Sequence, residues 1–278
     1  MDDLSILELV LFGSLVIEYN FKDQVASDIG IDEQFVPASS LSTQANLDWI
    51  ADWTKDNKMK LNEQKSNYMV FSRSSSELAT RLSLNSQTLN RIKEVKLLGL
   101  WVTTWLDWSK NTDEICKSAY ARITMISKLK YVGTPLHDLI DIYILYIRSL
   151  LEYCSVVWHS TLTQSQSIQL EAVQKLSLKI ILGDLYTDYQ SALDLTGLVS
   201  LQERREEKCL KFALKCLVHP THSDIFPLNP NTQTRPARHR EHFKVNKART
   251  ESYRMSAVPY MQRKLNHYVS MQTMHTRL

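Results

Sequence analysis

The sequence predicts an α+β fold: a small antiparallel sheet with one helix, followed by an all-α bundle and a basic tail. Between residues 68 and 103, short apolar runs alternate with turn residues, as in short strands. From Trp108 onward, apolar residues recur every three or four positions, as on one face of a helix. Four prolines between Pro220 and Pro236 then interrupt the helical pattern. These shifts place the domain boundaries at 1–107, 108–222 and 223–278.

The first part of the chain predicts the sheet and its helix. Residues 4–11 are apolar and predict a strand, and residues 20–42 lack periodicity and predict a long loop. A helix is expected over residues 43–57, because Leu47, Ala51 and Thr54 fall on one face. Strands are predicted at 68–71, 81–84, 88–92 and 96–103, with a hairpin turn at residues 85–87.

The second part predicts helices at 113–130, 136–154, 165–182 and 200–218. Along 136–154 the core-facing series includes Leu139, Tyr143 and Ile147, while Leu145 and Tyr146 lie on other sides. A helix that is apolar nearly all round is expected at the centre of a bundle.

Composition and charge limit the class of protein. With 278 residues, 44% hydrophobic and 23% charged, the chain is not a disordered protein. The net charge of +3 conceals a basic end, since residues 219–278 hold ten Lys and Arg against three Asp and Glu. An acidic start and an apolar run broken by Glu8 predict neither a signal peptide nor a transmembrane segment. Four widely spaced cysteines in helical patterns predict reduced thiols and an intracellular protein of the nucleus or cytoplasm.

Several short motifs follow one another along the chain. The first lies at its start, Met1-Asp2-Asp3-Leu4-Ser5-Ile6-Leu7-Glu8. The next are Leu61-Asn62-x-x-Lys65-Ser66 and Val95-Lys96-Leu97-Leu98-Gly99-Leu100, the latter followed by Leu106-x-Trp108. The helical half carries Arg148-Ser149-Leu150-Leu151-Glu152-Tyr153 with Val157-Trp158, then Leu170-Glu171-x-x-Gln174-Lys175 and Leu201-x-x-Arg204-Arg205.

In this order the motifs resemble landmarks of the reverse transcriptases of jockey-like and CR1-like non-LTR retrotransposons. The first is similar to the aromatic-x-Asp-Asp motif without its aromatic residue, the second to Leu-Asn-x-x-Lys-Thr, and the third to the Leu-Gly primer-grip strand. The fourth resembles the thumb-helix signature Arg-Ser-x-Leu-Glu-Tyr. The resemblance covers most of residues 1–226. It implies a palm remnant in 1–107, an α-helical thumb or connection region in 108–222 and a C-terminal extension in 223–278.

The resemblance also implies a chemistry, an RNA template and a DNA primer. Asp2 and Asp3 would bind Mg²⁺, with Asp2 the main ligand, since nucleotidyl transfer uses two metal ions held by carboxylates. The family also needs an Asp on a separate palm strand, to which no residue of this chain can be assigned. Lys65 would lie near the triphosphate and assist the leaving pyrophosphate, or is a solvated lysine. Gly99 would mark where a strand approaches the primer backbone, or is a bulge.

Some residues have a structural reading beside a functional one. Arg148 and Glu152, four positions apart, predict an intrahelical ion pair in preference to a direct nucleic-acid contact. Trp158 is expected in the core and His159 as a structural histidine. A separate set could suggest zinc, but its spacing favours core packing for the two cysteines: Cys209, Cys216, His219 and His222.

The basic tail predicts contact with RNA or DNA through charge and stacking. Its cations, interleaved with Phe243, Tyr253 and Tyr260, suit phosphates and unpaired bases. A solvated, partly disordered tail is the alternative reading. The residues proposed to bind nucleic acid are Arg238, Arg240, Lys244, Lys247 and Arg249.

Together these observations favour a truncated RNA-directed DNA polymerase of a non-LTR retrotransposon that is inactive on its own. The alternative is a non-enzymatic nucleic-acid-binding helical module derived from such an enzyme. A third reading is a chain that forms no stable fold, because an incomplete sheet leaves an exposed edge. No membrane partner is expected.

Overall fold

The computed structural model describes residues 40–70, 81–219, 222–229, 242–245, 247–248 and 250–275. The chain divides into two units, Met1–Asp107 (unit 1) and Trp108–Leu278 (unit 2). Short strand pairs occur in unit 1 and long helices in unit 2, so the predicted α+β class is confirmed. The predicted first strand and most of the predicted loop that follows it lie outside the described residues.

In its described part, unit 1 contains a long helix, α1 (Ser40–Asp56), which covers nearly all of the predicted helix at 43–57. Its inner face carries Ala51 and Thr54, both buried, as the periodicity predicts. The amide side chain of Gln44 forms two hydrogen bonds with the backbone of Ser83, donating to its carbonyl (2.8 Å) and accepting from its N–H (3.0 Å). Helix α1 therefore satisfies polar backbone groups of a neighbouring strand as well as covering its apolar side.

The described strands of unit 1 form three separate pairs, where the sequence predicted one antiparallel sheet. They are β1 (Asn67–Tyr68), β2 (Ser83–Leu84), β3 (Gln87–Thr88), β4 (Asn90–Arg91), β5 (Glu94–Leu97) and β6 (Leu100–Thr103). Strands β2 and β3 pair antiparallel, as do β5 and β6, whereas β1 and β4 pair parallel. Each strand is too short for a continuous ladder, and Ala51, Leu82, Leu84 and Leu89 form a small core beside them.

Two hairpin turns explain where the strand predictions succeed and fail. Asn85 and Ser86, with φ +49° and +69°, connect β2 and β3 at the predicted turn. Leu98 and Gly99, with φ +48° and +89°, connect β5 and β6 in the same way. Positive φ at both central residues is characteristic of the type I′ turn. The single strand predicted at 96–103 is therefore wrong. The turn was concealed because Leu98, a residue type that rarely adopts positive φ, occupies its first central position.

Unit 2 is helical in its described part. The helices are α2 (Ser109–Tyr131), α3 (Leu136–Ile142), α4 (Ser149–Leu151), α5 (Ser155–Trp158), α6 (Gln164–Leu182), α7 (Tyr189–Thr196), α8 (Leu201–Val218), α9 (Glu251–Arg254) and α10 (Ala257–His275). Helix α2 packs along α6, and α8 packs against α5, α6 and α10. Reciprocal capping boxes begin two of them, Thr163 with Gln166 at α6 and Ser200 with Glu203 at α8.

The predicted helix at 136–154 is not a single α-helix. A π-helical stretch, Tyr143–Arg148, separates α3 from α4, and Cys154 has a left-handed φ of +51°. The guanidinium of Arg122 on α2 donates a hydrogen bond to the carbonyl of Tyr146 within the π stretch. Leu139, Tyr143 and Ile147 are buried as predicted, but Leu136 of the same predicted series is 40% exposed, and on the opposite side Leu145 is 70% exposed. This segment therefore lies at the edge of the bundle rather than at its centre.

Part of the predicted tail belongs to the folded unit. In α10, Met261 and Leu265 are fully buried, and α10 packs against α8. The sequence analysis did not recognise this helix, because Pro259 lies in it. Pro259 occupies the first turn, where its missing N–H costs no helical hydrogen bond. Across the described ranges, no helix combines the length and apolarity needed to cross a membrane.

Candidate nucleic-acid interface

Two sequence-predicted site residues lie in the described part of unit 1. Lys65 ends a short 3-10 turn, Glu63–Lys65, and is exposed; its N–H donates to the side chain of Asn62 (3.1 Å). Gly99 is exposed in the turn between β5 and β6. Lys65 precedes the β1–β4 pair and Gly99 belongs to another pair. Their roles toward triphosphate and primer stay predictions.

The other predicted site residues are the carboxylate pair at the start of the sequence and five cations of the basic tail. Asp2, Asp3, Arg238, Arg240 and Arg249 lie outside the described residues. Of the remaining predicted tail cations, Lys244 and Lys247 are exposed. The N–H of Lys244 bonds the carbonyl of Pro227 (2.9 Å), next to an antiparallel bridge between Leu228 and Phe243.

The magnesium expectation rests on the resemblance. Asp2 and Asp3 are its assigned ligands, and they lie outside the described residues. Within the ranges that the structure describes, His, Cys, Asp and Glu side chains do not gather in threes as metal ligands. The Mg²⁺ role of Asp2 and Asp3 stays a prediction.

Glu152 lies at the centre of a charged cluster in unit 2. Its side chain is 3% exposed and bridges to α8. Oε1 accepts from Arg204 Nε (2.5 Å), and Oε2 accepts from Arg204 Nη2 (3.2 Å) and Lys208 Nζ (2.9 Å). Burial acts to raise the pKa of Glu152, but the hydrogen bonds from these two cations outweigh it and the pKa is lowered. Glu152 is therefore held as a carboxylate.

The predicted ion pair between Arg148 and Glu152 is wrong. The backbone keeps its helical bond from Glu152 N–H to the Arg148 carbonyl (3.0 Å), but the Glu152 side chain turns toward α8. The Arg148 side chain forms no hydrogen bond or ion pair with any described residue. Burial and the positive charge of Arg204 lower the pKa of Arg148. Arg148 is thus a half-buried cation beside two others.

A second network joins α6, α7 and α8. Gln174 is fully buried; it accepts from the Tyr143 hydroxyl (2.5 Å) and donates to the Tyr189 hydroxyl (2.8 Å). Tyr189 in turn donates to Glu171, whose carboxylate also accepts the N–H of Leu201 (3.1 Å). A carboxylate at this position complements the positive end of the α8 dipole.

A third network anchors α10. Arg205 is fully buried; its Nε donates to His159 Nδ1 (3.3 Å) and its Nη2 to Ser167 Oγ (3.1 Å). With Nδ1 accepting, neutral His159 carries its proton on Nε2, which lies 3.4 Å from the Tyr260 hydroxyl of α10. Burial and Arg205 lower the pKa of His159 to about 4. His159 and Trp158 are thus structural residues, as predicted.

The cysteines also behave as predicted. All four are free and buried. Burial raises the pKa of Cys209 to about 12 and that of Cys216 to about 11, so both thiols stay protonated inside α8. His219 and His222 stack on each other with ring centroids 4.4 Å apart. Core packing accounts for the two cysteines.

The sequence analysis missed Lys208 as a partner of Glu152. A signal for it existed, since Arg204 and Lys208 are four positions apart and share one face of a predicted helix. What the sequence did not reveal is that this face meets Glu152. That meeting depends on how α8 packs, which no local spacing encodes.

Comparison with protein-family models, with curated proteins and with solved structures finds no match.

Proposed function

We propose that this chain is the palm-end and thumb portion of an RNA-directed DNA polymerase of the non-LTR retrotransposon type, and that its helical unit binds nucleic acid. The observation that carries the proposal is the meeting of motif residues from distant parts of the chain. Glu152 of the thumb-like signature pairs with Arg204 of the Leu-x-x-Arg-Arg motif, 52 positions away.

The motif between those two joins the same structure. Glu171 of the Leu-Glu-x-x-Gln-Lys motif accepts the N–H of Leu201, 30 positions along the chain. Segments selected only for their order in the sequence thus make contacts with one another, which chance similarity would not require. This supports a common origin for the set and gives its residues a structural purpose.

The helical unit has the charge that such a function needs. Glu152 pairs with two cations, Arg204 and Lys208, and a third, Arg148, interacts electrostatically with Glu152 and Arg204. Tyr153, the next residue in the sequence, is 41% exposed. Lys and Arg that neutralise phosphates displace counterions, so binding of this kind weakens as salt is added. The RNA template and DNA primer of the family offer those phosphates.

The test uses the 278-residue chain and a fluorescent DNA primer annealed to an RNA template. Anisotropy titrations between about 50 and about 200 mM NaCl should show an affinity that falls at least tenfold over this range, because neutralising several phosphates releases counterions and makes binding depend steeply on salt. Absence of binding at the lower salt concentration, or an affinity that does not change with salt concentration, would contradict the proposal.

Catalysis is tested separately. We expect no template-dependent incorporation from these 278 residues with Mg²⁺, because the resemblance assigns only Asp2 and Asp3 to the metals. Incorporation that Asp2→Ala abolishes, and that Asp184→Ala at an exposed site preserves, would identify an active polymerase instead. Binding without incorporation is the result expected both for the proposed portion of a polymerase and for a non-enzymatic module derived from it.

A further inference from the structure

We propose that Arg148, Arg204 and Lys208 form a phosphate-binding site for a nucleic-acid backbone, held in position by Glu152. The inference rests on the proposed function and locates it: the basic tail was the expected site, whereas this cluster lies on the helical bundle itself.

The charge balance of the cluster is the first argument. Glu152 satisfies Arg204 and Lys208 with one negative charge, and Arg148 brings a third positive charge. Glu207 of α8 also interacts electrostatically with Arg204, but it is itself paired with Lys211 at 2.6 Å. The site therefore keeps an excess of two positive charges, which matches a phosphodiester and its neighbour.

The geometry of Glu152 is the second argument. Its two oxygens are both occupied, so Arg204 and Lys208 are fixed side by side instead of moving freely on the surface. Side chains fixed before binding lose less conformational entropy when a ligand arrives. Glu152 is thus a positioning residue, and the cations are the binding groups.

The state of Arg148 is the third argument. It lies one helical turn before Glu152 and is half-buried without a hydrogen-bond or ion-pair partner among the described residues. Burial first, and then the positive charge of Arg204, lower the pKa of Arg148, while the carboxylate of Glu152 acts to raise it. An anion between the two would relieve this repulsion, and a guanidinium pairs well with phosphate oxygens.

The source of the phosphate is argued from Tyr153. Its side chain, adjacent in sequence to Glu152, is 41% exposed and offers a ring for stacking on a base or sugar. A free phosphate ion has no base or sugar that could stack on that ring. The proposal therefore commits to a nucleic-acid chain.

The experiment measures binding of the same fluorescent RNA–DNA hybrid by the full chain and four variants. Arg148→Gln and Lys208→Gln should each weaken binding about fivefold at low salt and reduce the slope of log affinity against log salt by about 1. Arg148→Lys should recover part of the loss. Lys215→Gln, an exposed cation seven positions from Lys208 on α8, makes the same charge change and should bind like the original chain.

The outcomes separate the two proposals. If the original chain binds and Arg148→Gln and Lys208→Gln bind equally well, the phosphate site is wrong while the proposed function stands. If the original chain does not bind, both fall. Competition by inorganic phosphate alone, as strong as by unlabelled hybrid, would overturn the assignment to a nucleic-acid chain. Unchanged circular dichroism melting of each variant shows that binding, not folding, has been measured.

Discussion

Glu152 links the end of α4 to α8 through charge, and its removal tests how much that link stabilises unit 2. Glu152→Gln keeps the size of the side chain but leaves Arg204 and Lys208 without their carboxylate. Loss of one partner from a buried ion pair costs about 3 kcal/mol. We expect the free energy of unfolding at pH 7, measured with urea, to fall by about that amount.

The same pair gives a pH test. Because the pKa of Glu152 is lowered in the folded chain, its contribution is present above the ordinary glutamate pKa and disappears as the pH falls through the folded value. The difference between the original chain and Glu152→Gln should therefore shrink below about pH 4. The exposed residue Glu207 serves as the control, and Glu207→Gln should change stability little. A difference that stays constant with pH would contradict the ion-pair account.

The titration of His159 also predicts that stability falls as the pH falls, as for Glu152, although His159 is neutral in the folded chain whereas Glu152 is charged. Its pKa is lowered to about 4 from 6.5 by burial and Arg205, so the unfolded chain takes up a proton over that interval and the folded chain does not. Stability should fall by about 2 kcal/mol as the pH drops from 6.5 toward 4. Glu206, Lys264 and Tyr260 also face this group.

The matched variant is His159→Asn, whose amide oxygen can accept from Arg205 but cannot titrate. Urea unfolding at several pH values should show that this variant lacks the part of the pH dependence due to His159. The exposed residue His137 provides the control. If His159→Asn follows the pH profile of the original chain, His159 is not the titrating group.

Single residues were predicted correctly where burial alone decides. Trp158 and Cys216 pack in the core because a large or weakly polar side chain on an amphipathic face has no better place. The partner of Glu152 was predicted wrongly because spacing along one helix identifies possible neighbours only on that helix. Arg204 and Lys208 come from another element, and their positions depend on packing.

At the scale of elements, α10 provides the sharpest test of the fold. Leu265 is fully buried, with 0% solvent exposure, whereas Met271 on the same helix is 48% exposed. Leu265→Ala should lower the free energy of unfolding by about 3 kcal/mol, since it removes buried methyl groups and leaves a cavity. Met271→Ala should change it by less than about 0.5 kcal/mol. Equal effects would mean that α10 does not pack on the bundle.

The elements themselves were predictable to different degrees. Helices α6 and α8 were predicted nearly to their ends, because Thr163 and Ser200 supply N-caps before long apolar stripes. The sheet was not, since strands of two to four residues carry almost no periodicity. The π stretch at Tyr143–Arg148 was also hidden, because apolar residues around the whole helix fit either winding.

At the scale of the whole molecule, each unit has its own apolar core. Unit 1 buries Ala51, Leu82, Leu84 and Leu89 together, and unit 2 buries a larger set that includes Ile147. The cluster around Glu152 lies entirely in unit 2. The candidate interface could be predicted in kind from the excess of Lys and Arg, but its location could not, because the cations converge only after α8 has packed.

This arrangement predicts that residues 108–278 fold and bind without residues 1–107. The fragment should melt cooperatively by circular dichroism, since unit 2 buries a large apolar set of its own. It should bind the RNA–DNA hybrid within about twofold of the full chain, because the proposed binding groups all belong to it. Arg148→Gln in the fragment should weaken binding as in the full chain. A cooperative fragment that binds much more weakly would assign part of the interface to unit 1, where Lys65 and Gly99 were predicted to act. A fragment without a cooperative transition would show instead that the helical core needs unit 1 to form.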